Sequence, residues 1–384
     1  MSDLTNLSEY CAFIKGTGCD VTIVFAALNT EKGRFLGVRS FMHEEGHTIF
    51  VNCPDNQWYL NGIPGLGETW QAAAETLRNL CNELAGPEHQ STYYGGSMGG
   101  YGALLYGSRN RAGCIVATGV EFELCVPLGN AINHIKPSGE NPIYEEINKH
   151  DSNIFVIYGG MSVADLYCAS KALEKIKKAT FNIYLIKGAG HSIPGILEKE
   201  FGLSKFIKAL RCGCIPEFIG HPISSHDLRN VGQLYEIAKT SDSVDPAAVV
   251  HQLFEEETSV DLLTLACYYC GESLREKNDN DNAIRYYEKG IRLRNDNFMC
   301  HVGIAKSYQK SGNTDEAIHH LKLGIGLMDP KTLQSDFNAY ILLSRLLLSK
   351  KAHAEARNLL NELLTYSPTN AKARELLESI QPAG

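Results

Sequence analysis

The sequence predicts two successive architectures: a doubly wound, mainly parallel α/β sheet over residues 1–212 and, beyond a helical linker at 213–260, an all-α solenoid over 261–384. Three observations predict them. Short apolar runs bounded by Gly or Asn alternate with amphipathic stretches between residues 20 and 210; strand-like runs cease beyond 245; and small residues recur at a fixed spacing in the helical remainder.

The expected strands lie at 21–26, 48–52, 92–94, 114–117, 153–158 and 181–186. They are β-branched and aromatic, and apolar throughout rather than in alternation, which is the pattern of strands covered on both faces. Helical periodicity occupies 68–85, 101–107, 162–178 and 196–211. Strand alternating with helix argues a parallel sheet sandwiched by helices. The stretch 213–260 carries Pro216, Pro222 and Pro246 among residues of mixed polarity, and so reads as a linker with one or two helices.

With 384 residues, 44% hydrophobic and 21% charged, the chain has enough apolar surface for two cores. Lys and Arg total 36 against 44 Asp and Glu, a net charge of -8, which disfavours nucleic acid and anionic membranes as partners. The first ten residues lack a basic region followed by an apolar one, and no run approaches the ~18 apolar residues a membrane span needs, so a cytoplasmic location is expected. The 12 cysteines are scattered, with close pairs only at Cys212/Cys214 and Cys267/Cys270, and read as reduced thiols packed as small core residues.

In the helical remainder, Ala283, Ala317 and Ala356 each have a bulky residue four positions on (Tyr287, Leu321, Leu360) and a further inward position seven on (Gly290, Gly324, Leu363). Twelve before each alanine stands a small residue (Gly271, Ala305, Ser344), and nine before stands Leu274, Tyr308 or Leu347. The first two alanines are 34 residues apart, and Asn295, Asp329-Pro330 and Pro368 fall at the unit ends. In these positions the segment resembles tetratricopeptide repeats (TPR), in which small residues let paired helices approach and a bulky one fills the gap. The next spacing, 39 residues, implies an insertion around 330–335, and 371–380 reads as a closing helix with a polar outer face. The resemblance implies a protein partner or self-association.

Candidate chemistry lies in the first half. Gly95-Gly96-Ser97-Met98-Gly99 is a G-x-S-x-G sequence between an expected strand and an expected helix. A strand turning sharply into a helix holds its central Ser in a strained conformation that only very small neighbours tolerate. The turn would lift the Ser97 hydroxyl above the sheet, and the helix N-terminus would aim backbone N–H groups, that of Met98 included, at an oxyanion. Ser97 needs a base. His191, in the Gly-rich loop that follows the 181–186 strand, with Gly188 and Gly190, is the candidate. A carboxylate must orient the imidazole; Asp165 follows the 153–158 strand, with Glu121 or Glu123, after the 114–117 strand, as the alternative acid.

Over about residues 15–212, the order Ser97, Asp165, His191, each after a strand, resembles α/β-hydrolase-fold serine hydrolases. The resemblance implies a second oxyanion N–H from the loop after the 21–26 strand, hence Ala27 or Leu28, although no His-Gly doublet is present there. Residues 127–147 would form a small lid.

Two further motifs compete. His43-Glu44-Glu45-Gly46-His47 matches the zinc-peptidase pattern H-E-x-x-H, but Gly46 breaks a helix and His47 leads into a strand, so the imidazoles would not share a face. No metal is therefore expected. Trp58-Tyr59, on the edge from which active-site loops emerge, reads either as a substrate-stacking pair or as ordinary packing.

The expected activity is that of a serine hydrolase needing no cofactor, an esterase acting on a small-molecule or glycan-linked ester such as an O-acyl group on a carbohydrate. Acyl transfer and thioester cleavage use the same constellation. In the alternative reading the repeats are the working part and the hydrolase fold is a scaffold.

Overall fold

The computed structural model describes residues 4–135, 141–177, 180–186, 189–219, 225–239, 244–256, 258–328 and 337–380. It divides into two compact units, Met1–Val231 and Gly232–Gly384.

The first unit is built on eight strands: β1 (Leu4–Asn6), β2 (Cys11–Ile14), β3 (Asp20–Phe25), β4 (His47–Val51), β5 (Gln90–Gly96), β6 (Cys114–Thr118), β7 (Asn153–Gly159) and β8 (Thr180–Ile186). They lie in the order β1-β2-β4-β3-β5-β6-β7-β8. β3 to β8 run parallel, and β2 pairs antiparallel with both of its neighbours. This is the doubly wound sheet of the α/β-hydrolase fold. All six expected strands are present. β1 and β2 are additional: they have three and four residues, and β1 is exposed along its length, so neither carries a pattern that periodicity can detect.

The helices of this unit are α1 (Val38–Phe41), α2 (Trp70–Ala85), α3 (Met98–Arg109), α4 (Ile143–Lys149), α5 (Val163–Lys175), α6 (Pro194–Glu200) and α7 (Leu203–Arg211); α8 (Ser225–Ala238) follows and contains the division between units. The single helix expected over 196–211 is thus two. Gly202 stands between them at φ 83°, a left-handed value that ends one helix and redirects the next. On one sheet face Val24, Phe50, Tyr94, Val116 and Phe155 pack against Phe41, Leu197, Phe206 and Leu210 from α1, α6 and α7. Elsewhere an aromatic cluster joins Phe25 to Tyr59, Tyr93 and Tyr106, with Trp70 against Tyr106. Full burial of each such side chain contributes roughly 1.5–3 kcal/mol.

The second unit contains α9 (Pro246–Glu255), α10 (Val260–Glu276), α11 (Asn280–Leu293), α12 (Phe298–Lys310), α13 (Thr314–Leu327), α14 (Asn338–Ser349), α15 (His353–Tyr366) and α16 (Ala371–Ser379). α10 packs on α11, α12 on α13 and α14 on α15, and each pair packs on the next. Ala283, Ala317 and Ala356 occupy the fourth position of α11, α13 and α15, and all are fully buried. The need for small residues is direct at Tyr287: a Cβ added at Gly271 or at Gly303 would come within 2.5 Å of its ring. α16 buries Ala373 and turns its charged residues outward, as a terminal cap requires. The insertion expected at 330–335 lies outside the described residues. Among the described residues no helix is long and apolar enough to cross a membrane.

Candidate active site

Ser97 separates β5 from α3 with φ 52° and ψ -119°. A non-glycine residue in such a conformation costs on the order of 1–3 kcal/mol and persists only where its surroundings enforce it. Here the Ser97 N–H donates to the Thr118 carbonyl at the end of β6, 2.7 Å away, and the Ser97 carbonyl accepts from Tyr101 N–H at 3.2 Å. Gly95 has to be glycine because a Cβ there would lie 2.0 Å from the Gly99 carbonyl oxygen. The backbone N–H of Met98 opens α3.

His191 lies in the loop between β8 and α6, of which Lys187 and Gly188 are outside the described residues. Its Nε2 is 2.9 Å from Ser97 Oγ, across 94 positions of sequence. Its Nδ1 lies 2.9 Å and 3.0 Å from the two carboxylate oxygens of Asp165. Asp165 sits in the first turn of α5 and is 1% exposed. The three side chains singled out in the sequence therefore form one hydrogen-bonded chain. The Asp165 charge, opposed by burial and helped by Glu121, pushes the His191 pKa up to about 9.

The loop after β3 is fastened from β4's side. Asn52, 1% exposed, donates from Nδ2 to the carbonyls of Thr30, Glu31 and Arg34 at 3.2, 2.9 and 3.2 Å. Asn29 and Asn56 exchange two bonds, Asn29 N–H to Asn56 Oδ1 and Asn56 Nδ2 to Asn29 Oδ1, each 2.9 Å. Ala27 and Leu28 are half-buried in this loop, next to the stretch Phe25–Ala26 that abuts Gly99 of α3.

The alternative acids are engaged elsewhere. Glu121, 1% exposed, accepts the backbone N–H groups of Asn130 and Ala131 at 2.6 and 2.9 Å. Glu123 accepts from Tyr144 Oη at 2.9 Å and pairs with Lys175. Sequence reasoning missed Asn130, whose Nδ2 lies 3.3 Å from His191 Nε2. The available signal was an acid just past a strand followed by Gly129-Asn130, a turn that such an acid can cap.

Trp58 and Tyr59 require a correction: both are fully buried, so neither ring is open to a ligand. Both residues have positive φ angles, 51° and 60°. Tyr59 donates to the Ala26 carbonyl at 2.9 Å and packs edge-on against Phe25, while Trp58 faces the His134 ring at 5.7 Å. In the H-E-x-x-H stretch, α1 ends at Phe41 and His47 begins β4, where it accepts the Gly16 N–H at 3.3 Å. Among the described residues no three His, Cys, Asp or Glu gather to hold a metal ion. Cys267 and Cys270 are fully buried in α10, and burial pushes their thiols up to about 11 and about 12. Such thiols are poor nucleophiles and poor ligands.

Residues 266–297 match the family model of the tetratricopeptide repeat. No curated protein matches the sequence. Among solved structures, the chain is similar to the capsule O-acetyltransferase of Neisseria meningitidis serogroup A, at 18% identity over 54% of this chain and 94% of that one, with a TM-score of 0.40. It is similar to the Staphylococcus aureus fluorophosphonate-binding serine hydrolase FphF at 13% identity, over 56% and 95% of the two chains, with a TM-score of 0.38. It is also similar to the first TPR domain of human RPAP3 at 21% identity, over 30% and 88%, with a TM-score of 0.27. By strand order and by family match, the chain joins an α/β-hydrolase fold to tetratricopeptide repeats.

Proposed function

We propose that the protein is a serine hydrolase that cleaves a carboxylic ester through an acyl-enzyme. Residues 1–212 form the catalytic domain, 213–260 the linker, and 261–384 a docking domain for a protein partner or a second copy of the chain. The observation that carries the reading is the unbroken path from Ser97 Oγ through the His191 imidazole to Asp165, with 2.9 Å at each nitrogen. In this reading His191 Nε2 takes the Ser97 proton as Oγ attacks the acyl carbon, and Asp165 holds the ring and stabilises the imidazolium. The N–H of Met98, with that of Ala27 or Leu28, receives the oxyanion. His191 then protonates the leaving group, and a water that it activates releases the acid. The mechanism calls on no metal or organic cofactor. The substrate is an O-acyl group on a carbohydrate or another small polar acceptor. Twelve free thiols suit the reducing cytoplasm as the working compartment.

The test pairs wild type with Ser97→Ala. Wild type should take a fluorophosphonate label and release phenol from a short-chain aryl ester, and the variant should do neither. A folded wild type that stays unlabelled and inactive overturns the proposal and leaves the repeats as the working part.

A further inference from the structure

We propose that Asn130 is a further catalytic residue, holding the alcohol oxygen of the substrate, and that the substrate class is therefore the oxygen ester of an alkyl alcohol rather than a thioester. This inference rests on the serine-hydrolase reading above.

Asn130 Nδ2 is 3.3 Å from His191 Nε2, the nitrogen that also lies 2.9 Å from Ser97 Oγ. In the acylation step the Oγ lone pair attacks the carbonyl carbon while the Oγ proton passes to Nε2. The tetrahedral intermediate then collapses: the bond from carbon to the alcohol oxygen breaks, its electron pair stays on that oxygen, and the Nε2 proton follows to give a free alcohol. Water next attacks the acyl carbon and gives its proton to Nε2, the bond to Oγ breaks, and the proton returns to Oγ, so ester plus water yields acid plus alcohol. Any oxygen that receives the Nε2 proton sits about 3 Å from that nitrogen, and Asn130 is its neighbour.

Asn130 is also held in place. The carboxylate of Glu121, buried after β6, binds the Asn130 and Ala131 N–H groups at 2.6 and 2.9 Å. The approach is so close that a Cβ at Gly129 would meet Glu121 Oε2 at 2.8 Å. Further along, Asn141 donates to the Phe122 carbonyl at 2.6 Å, and His134 packs over Trp58. A buried anion committed to two backbone donors makes strong, directional bonds, and the side chain they position is fixed before substrate arrives.

A carboxamide N–H bonds well to an alkoxide oxygen as charge develops on it, whereas sulfur is a weak acceptor. A phenolate leaves with less help from a donor than an alkoxide does, because phenol (pKa about 10) is a stronger acid than an alkyl alcohol.

The experiment compares Asn130→Ala and the near-isosteric Asn130→Asp with wild type on three esters of one acyl group: alkyl oxygen ester, aryl ester and alkyl thioester. Removing the donor should lower the ratio of kcat/KM for the alkyl ester to that for the aryl ester on the order of 10- to 100-fold, the scale of a lost hydrogen bond to a charged group, and lower the alkyl-to-thioester ratio similarly. Equal losses on all three substrates would mark a structural role and overturn the inference, as would no loss on the alkyl ester. Wild type that takes no fluorophosphonate label overturns the hydrolase reading itself, which keeps the two failures apart.

Discussion

Left-handed backbone occurs in both units, and the two uses differ. In the repeat unit it falls at the turns inside the helix pairs: Asn278 (φ 66°), Gly312 (φ 81°) and Lys351 (φ 61°) occupy the same place in successive repeats, where each chain leaves one helix for the next. In the sheet unit Ser97 has φ 52° at the one residue that must present an oxygen above the strands. Turn strain repeats with the array and is a matter of local chain reversal. Elbow strain is tied to a partner 94 positions away, since the same bend brings Oγ to His191. Relieving the first should leave function alone, and relieving the second should end it.

The strongest way to break this contrast is at the site. Asp165→Asn should keep the fold but lower turnover by about 10⁴, as expected when an imidazole loses its orienting carboxylate; ester kinetics beside an unchanged circular-dichroism spectrum check it. In the repeats, Tyr287→Ala should cost about 3–5 kcal/mol, because the emptied notch between Gly271 and Gly303 cannot close. Thermal melting of the full chain would show the loss, while fluorophosphonate labelling of Ser97 should persist.

The pH profile sharpens the contrast further. The base must be neutral imidazole, and its folded pKa of about 9 lies above the ordinary 6.5, so kcat/KM should rise with pH until about 9. The rate at pH 7 should stand about a hundredfold below the plateau. The ion pair's contribution to stability has the opposite sense: complete below pH 6.5, it fades as pH climbs through 9. In Asp165→Asn the rising limb should move to lower pH, because the carboxylate is the main cause of the raised pKa.

The smallest effects are the most diagnostic. Lys351→Gly and Ser97→Gly should each raise stability by about 1 kcal/mol, since glycine accepts the left-handed region freely. Only the second should abolish labelling.

The sheet was legible because β4, β6 and β7 are buried along almost their whole length, a pattern that needs no knowledge of partners. The helix pairs were legible because each repeat restates the same packing rule at Ala283, Ala317 and Ala356. The break at Gly202 was hidden because amphipathic periodicity continues across it, from Leu197 to Leu203, Phe206 and Leu210. Trp58 and Tyr59 stayed open between stacking and packing because composition does not tell which way a loop turns its side chains; their full burial decides for packing. Ser97, Asp165 and His191 stood out because strand ends in an alternating α/β chain deliver side chains to one edge. Asn130 did not, because its place depends on Glu121 folding a loop back, a contact with no periodic trace.

The amide bracket around the segment after β3 carries a consequence for how a substrate would enter. With Asn52 gripping three carbonyls and Asn29 clasping Asn56, the backbone carrying Ala27 and Leu28 is set before any encounter. Recognition on that flank would then resemble a key meeting a finished lock, and discrimination among acyl chains would come from shape at first collision.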